Sequence, residues 1–199
     1  MRQKKKAFIS LFLTAVLAFA LTGCGAAKDA QTAFDTMMQA FQTGDQAQIS
    51  AYYDFEAVSK FINEEDGAEL QDVILSTLKK MTYEVESAEK QDGSAVKISA
   101  KVTTLDFSEV MNRYIAQVMA MVASEEYQAR VAEMTQQEYQ KLLAEQMRTV
   151  LEQSDIPTAE NSVTVTMVKE AGAWKAGGDK EAFLGALFAN LTNAVNSLV

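Results

Sequence analysis

Tyr83-Glu84-Val85-Glu86, then Asp92-Gly93, then Val96-Lys97-Ile98-Ser99-Ala100-Lys101-Val102-Thr103 is the stretch that sets the fold class of this chain. Successive side chains of a strand point to opposite faces, so an apolar residue at every second position marks a strand with one buried and one wet face. Asp-Gly supplies the positive φ that a tight turn between two such strands requires. The stretch therefore predicts a β-hairpin. A second strand, turn and strand follow, with Val163, Val165 and Met167 alternating up to the Ala171-Gly172 turn and a short strand through Trp174. Pro157, the only proline, falls in the loop before it. The two hairpins share a plan without amounting to an internal repeat.

Helical patterns surround them. Phe34, Met37, Met38 and Phe41 recur at helical spacing, and Gly44 followed by Asp45 and Gln48 stops one helix and caps the next, which continues through Ile49, Tyr52 and Tyr53. Phe55, Val58 and Ile62 give a further helical turn. Beyond the loop Asn63 to Gly67, Leu70, Val73, Ile74, Leu78 and Met81 form another stripe. Asp106 with Glu109 has capping-box spacing and opens a pattern that runs to Gln153 without Gly or Pro. Unbroken, that helix would be about 70 Å long at ~1.5 Å per residue, beyond the diameter of a small domain. Its stripe of Phe107, Val110, Met111, Tyr114, Ile115, Val118 and Val122 fails at Ser124-Glu125-Glu126. Thr135 to Glu138 is a second candidate break, before a stripe of Tyr139, Leu143, Met147, Val150 and Leu151. Residues 106–153 therefore read as two helices, which a hairpin would lay side by side. Asp179 caps a last helix whose stripe runs Leu184, Leu187, Phe188, Leu191, Val195 and Leu198, and which is expected to pack on the sheet. The fold class is α+β, an antiparallel sheet packed by helices with a long helical insertion.

The N-terminus has a different character. Arg2, Lys4, Lys5 and Lys6 precede an apolar run from Ala7 to Ala20, the length of a secretory signal core and too short for a membrane span of about 20 apolar residues. Leu21-Thr22-Gly23-Cys24 resembles the lipobox of bacterial lipoproteins. The resemblance implies cleavage between Gly23 and Cys24, lipid attachment at the Cys24 thiol, and anchoring on the extracytoplasmic face of the cell membrane. The expected organisation is a signal peptide at 1–23, a lipidated cysteine and short tether at 24–28, and one domain at 29–199. Extended, Gly25 to Lys28 would reach some 15 Å at ~3.5 Å per residue.

Composition limits what that domain can do. The chain has 18 basic and 27 acidic residues; without the four basic residues of 1–23, the 176 residues from Cys24 onward carry 14 basic against 27 acidic, a net charge of −13. Nucleic acid is excluded as a partner by that sign, since phosphate contacts need clustered Lys and Arg. There is no histidine, and Cys24 is the only cysteine. Ser-His-Asp and Cys-His catalysis and His-ligated zinc or haem are therefore out of reach, no internal disulfide can form, and no cofactor is expected.

Ala33-Phe34 to Gly44-Asp45, followed by Tyr52-Tyr53, resembles the opening of nuclear-transport-factor-2-like domains of bacterial lipoproteins. Val168-Lys169-Glu170-Ala171-Gly172-Ala173-Trp174-Lys175, then Asp179 and a helix, is similar to their last hairpin. The matches cover about half of the chain after the signal segment. They imply a cystatin-like curved sheet wrapped by helices around a cone-shaped cavity, in a family whose members include isomerases, dehydratases and binding modules. The helical segment 106–153 departs from that pattern, where more strands would be expected.

Three groups of residues are candidates for a site. Tyr52, Tyr53 and Trp174 can bind a ligand, the indole giving apolar area and one donor, although a tryptophan in a terminal hairpin more often closes a core. Tyr52, Tyr53, Asp54 and Glu56 carry the donor and carboxylate an isomerase would use, and equally describe a solvated helix end. Met111, Met119 and Met121 can line an adaptable groove, though most of the methionines fall on core stripes. Glu64-Glu65-Asp66, Gly67 and Glu69 lack the acidic spacing of a Ca²⁺ loop, so no metal is expected there. The leading expectation is a non-enzymatic binding domain for a protein or small apolar ligand, with 106–153 as the docking element. An isomerase or hydrolase using carboxylates and tyrosines is the rival, and a spacer or assembly factor at the envelope a third reading.

Overall fold

The computed structural model describes residues 25–62, 68–91, 94–131, 133–189 and 191. The signal and lipobox residues including Gly23 and Cys24, the acidic loop 63–67, the Asp92-Gly93 turn, and Val195 and Leu198 of the last stripe lie outside the described residues.

Helix α1 (Gly25–Thr43) supplies the largest apolar face. Ala27, Ala30, Ala33, Phe34, Met37, Met38, Ala40 and Phe41 repeat at three- and four-residue intervals and are all buried. Residues 25–28, expected as an extended tether, are instead its first turn. Ala26, Ala27 and Lys28 are good helix formers, and Ala27 continues the buried stripe. At its far end Gly44, at φ 71, closes the helix in a Schellman motif: Gly44 N–H donates to Phe41 O and Asp45 N–H to Ala40 O. The same Asp45 then caps α2 (Gln46–Tyr52), its carboxylate accepting from Gln48 N–H at 3.0 Å. Helices α3 (Phe55–Ile62) and α4 (Ala68–Ser76) follow, and a 3₁₀ turn over Thr77–Lys80 leads into the sheet.

Four antiparallel strands lie in the order of the chain: β1 (Thr82–Lys90), β2 (Ala95–Leu105), β3 (Thr158–Glu170) and β4 (Ala173–Gly177). The predicted hairpin is present, with a bulge between Val85 and Ser87 that sequence alternation did not disclose. β3 is longer than predicted and begins at Thr158. Asn161 breaks its apolar alternation where it pairs with Val102, and the Asn161 Nδ2 group is buried with no hydrogen-bond partner in the structure. Val96, Ile98, Ala100 and Val102 of β2, with Val163, Val165 and Met167 of β3, face the helices and are buried. The opposite face is wet, carrying Lys97, Ser99, Lys101, Glu160, Ser162 and Thr164, with Lys101 and Glu160 paired at 3.3 Å.

Between β2 and β3 the chain forms three helices where two were predicted: α5 (Phe107–Val122), α6 (Glu125–Val131) and α7 (Gln136–Leu151). Both candidate breaks are used. Ser124 accepts from Tyr127 N–H at 3.2 Å, and Thr135 with Glu138 forms a reciprocal capping box. Asp106 caps α5 through Ser108 N–H, while Glu109 turns instead to Arg113. Gln117 donates to Gln146, and Arg113 donates to Gln153 and Asp155 at 2.8 and 2.7 Å, so α5 and α7 run antiparallel as a hairpin.

The hairpin is rooted in the core. Phe107, Val110, Ala144, Met147, Val150 and Leu151 are buried at its base, and Lys80 Nζ donates to Leu151 O at 3.0 Å. Helix α8 (Lys180–Leu187), capped by Asp179, packs Phe183, Leu184, Ala186 and Leu187 inward. It is interrupted at Phe188, which leaves helical geometry, while Leu191 of the predicted stripe is again helical and buried. Ala189 O then accepts from Phe107 N–H, stitching this segment to the base of α5.

Candidate functional site

The α2–α3 junction meets the end of the sheet beside β4, and a cleft of about 260 Å³ opens there. Its walls include Tyr52, Tyr53, Asp54, Glu170, Lys175 and Lys180. Two of the three predicted ligand residues are thus together. Trp174 is not in the wall: it faces inward at 9% exposure, with Lys169 Nζ 5.7 Å from its ring centre, and has the core role described above.

Tyr53 is fixed from both ends. Its ring packs edge-on to Phe41 at 5.7 Å and against Phe183 at 5.1 Å, and its hydroxyl donates to Lys180 O at 3.0 Å. Burial, with the Asp54 and Asp179 charges nearby, pushes the phenol above its ordinary range, so it stays protonated at any physiological pH. Asp54 is the start of α3: its Oδ1 accepts from Glu56 and Ala57 N–H at 3.1 and 3.4 Å, and its Oδ2 takes Lys180 Nζ at 2.7 Å. The Lys180 hydrogen bond holds the carboxyl below the usual carboxylate range, the opposite of what a general base working near neutrality needs. Glu56 is exposed and pairs with Lys60 one turn on. The four residues that carried the isomerase expectation are occupied in capping, packing and ion pairing.

A second cleft of about 260 Å³ lies between the 3₁₀ turn, the end of β2 and α7, walled by Ser76, Thr77, Lys80, Leu105, Arg148, Leu151 and Glu152. Both clefts are open to solvent. The space between α1 and the inner sheet face is filled by Phe34, Met37, Met38, Phe41, Ile98, Met167 and Phe183, each at 2% exposure or less. One carboxyl among the described residues is pushed upward: Asp35 on α1, through burial, partly offset by the hydrogen bond from Tyr83 hydroxyl at 3.2 Å. It lines neither cleft. No group of three or more Asp, Glu or Cys residues suited to a metal occurs among the described residues, and none of their helices is long and apolar enough to cross a membrane.

The helical insertion differs from the rest of the surface. The large apolar side chains that stand exposed among the described residues are Met119 at 64%, Val122 at 41%, and Val131 and Tyr139 at 37% each, all between the end of α5 and the start of α7. Of the methionines predicted to line a groove, Met111 packs against the core, Met121 is half-buried and Met119 stands exposed. Val122 and Tyr139 were expected within buried stripes, and Val131 was not singled out. α6, between the two breaks, buries none of its residues, although the equally short α2 buries Ile49. Comparison with protein-family models, curated proteins and solved structures gave no match to this chain.

Proposed function

We propose that the protein is an extracytoplasmic lipoprotein, held to the membrane through Cys24, whose domain is a non-enzymatic binding module that docks a partner at the distal end of α5–α7. The observation that carries the docking role is the confinement of Met119, Val122, Val131 and Tyr139 to that end, the large apolar residues that stand exposed among the described residues. The anchoring role rests on the lipobox-like Leu21-Thr22-Gly23-Cys24. The order of helix, Gly-Asp turn, helix, sheet and capped terminal helix supports a nuclear-transport-factor-2-like relationship. Tyr52 and Tyr53 remain the residues through which the β4 cleft would meet a small ligand. The isomerase or hydrolase reading lacks support here, because Lys180 holds Asp54 ionised and the Tyr53 hydroxyl is committed, protonated, to Lys180 O.

Removing the whole insertion would expose its buried base, so the test leaves the backbone intact. A photo-crosslinking residue is placed at 119 or 122 in cells, and in parallel at 97 on the wet sheet face. One discrete adduct at 119 and 122, absent at 97, is expected. Equal labelling at all three, or none at the distal end, removes the docking role.

A further inference from the structure

The chemistry of the distal end says what kind of partner it suits. From Met119 to Tyr139 the chain carries Glu125, Glu126, Glu133 and Glu138 against Arg130 alone, a net charge of −3, and all five are exposed. Arg130 reaches Glu126 only at 3.9 Å, too loosely to cancel it. At the base of the same hairpin the arrangement is reversed. There the apolar residues are buried, and Arg113 sits between Glu109 and Asp155 at 2.7 Å from each. Exposed apolar surface and a net negative charge thus coincide at one end of one element, with Glu138 engaged by the Thr135 cap and by Lys141, and Glu125, Glu126 and Glu133 left to set the charge.

That coincidence discriminates between occupants. A second copy of the chain would bring the same −3 against the patch, and an anionic bilayer would also present like charge, both repelled within a Debye length of about 8 Å. A surface that is apolar in its middle and basic at its edge meets both features. An amphipathic helix with a Lys/Arg face is the simplest polypeptide of that description. The thioether of Met119 adapts to varied aliphatic side chains, and Tyr139 adds a rigid ring with a polar tip.

We infer that the distal end of α5–α7 binds a basic amphipathic helical segment of a partner polypeptide, its aliphatic face on Met119, Val122, Val131 and Tyr139 and its Lys/Arg side chains toward Glu125, Glu126 and Glu133. This rests on the docking role proposed above and specifies the partner's chemistry. The probe is a fluorescent Leu/Lys amphipathic peptide, with a Leu/Glu peptide of the same pattern as control. The full chain is held in phosphatidylcholine nanodiscs, empty nanodiscs giving the background. Saturable binding of the Leu/Lys peptide is expected, weakened by about tenfold or more when salt rises from about 50 to about 300 mM. Glu125→Gln with Glu126→Gln and Glu133→Gln should weaken it by a similar factor. Met119→Ser with Val122→Ser should abolish it at unchanged thermal melting, and if that pair does not fold, Tyr139→Ser takes its place. Equal binding of the Leu/Glu peptide, indifference to the serine variants, absence of binding, or concentration-dependent self-association through the same residues would each overturn the inference. Crosslinks at 119 to a partner segment without Lys or Arg would leave the docking role standing and overturn the basic-helix chemistry alone.

Discussion

Asp35 and Asp54 have the same side chain and opposite electrostatic fates. Asp35 lies half-buried between α1 and β1, where desolvation raises its pKa. A raised carboxyl contributes stability that is present below its unfolded pKa, near 3.9, and lost as pH rises through the folded value, so ionised Asp35 costs the fold at neutral pH. Asp35→Asn keeps an oxygen for the Tyr83 hydroxyl and removes the charge. A higher melting temperature than wild type at pH 7 is expected, the gap closing as pH falls below the carboxylate range; a lower one at pH 7 would show that the charge is stabilising. For Asp54 the sign reverses. Its pKa is lowered by Lys180, so its contribution is present above the unfolded pKa and disappears as pH falls through the folded one. Asp54→Asn should therefore lower the melting temperature at pH 7 and converge with wild type in acid, a trend that differential scanning at several pH values can refute. The sequence placed Asp54 at a helix end, while its pairing with Lys180, 126 residues away, was not legible. Nor was the role of Asp35, because its partner Tyr83 is 48 residues away.

Local signals also explain which elements could be read. Gly44-Asp45 ends one helix and starts another because each residue meets a backbone demand within five positions of itself. A Cβ built on Gly44 meets nothing within 4 Å, so the cost of Gly44→Ala is the left-handed φ alone, about 1 kcal/mol. Urea denaturation should give that loss, and a neutral result would mean that the turn relaxes to another conformation. The Thr135 capping box has the same local logic: Thr135 Oγ1 takes Glu138 N–H, and Glu138 takes Thr135 N–H at 2.8 Å. Thr135→Ala should cost about 1 kcal/mol in the same measurement. If it costs nothing, α6 and α7 are not held by this box. The alternation of 96–103 likewise gave β2 and its buried face, since strand period and burial are properties of neighbours. The bulge at Glu86 and the early start of β3 depend on the partner strand, and no local pattern announces them. Phe188 carries the apolar stripe of α8 yet interrupts the helix, because Ala189 is drawn to Phe107 at the base of the insertion. Ser124 and Thr135 were both readable as helix starts. What the sequence did not reveal is that both operate, leaving α6 between them without a buried face.

At the scale of the molecule the two proposed roles meet at the first turn of α1. Helix begins at Gly25 and Ala27 is already buried, so an acyl group on Cys24 would be joined to the folded body with almost no slack. Four helical residues rise about 6 Å, against some 15 Å had they been extended. From Cys24 onward the net charge is −13, which would gain nothing electrostatically from anionic headgroups, so the proposed anchoring would rest on the acyl chains, at about 0.8 kcal/mol per buried methylene. Attachment should accordingly be indifferent to salt. Cells fed an alkynyl palmitate should label the wild-type protein and not Cys24→Ser, and the labelled protein should stay with membranes through a high-salt wash. Label persisting on Cys24→Ser would displace the attachment site, an unlabelled wild type would remove the anchor, and release by salt would show that charge, against its sign, does the holding. Under the proposed anchoring, the acidic distal end of α5–α7 would meet segments presented near the same membrane, where a basic amphipathic helix would be drawn to anionic lipid as well. The acidic rim would then compete with the bilayer for one helix. Phosphatidylserine-containing vesicles should for that reason strip the Leu/Lys peptide from the protein more effectively than phosphatidylcholine vesicles do, and equal competition by the two would leave charge without a part in the choice.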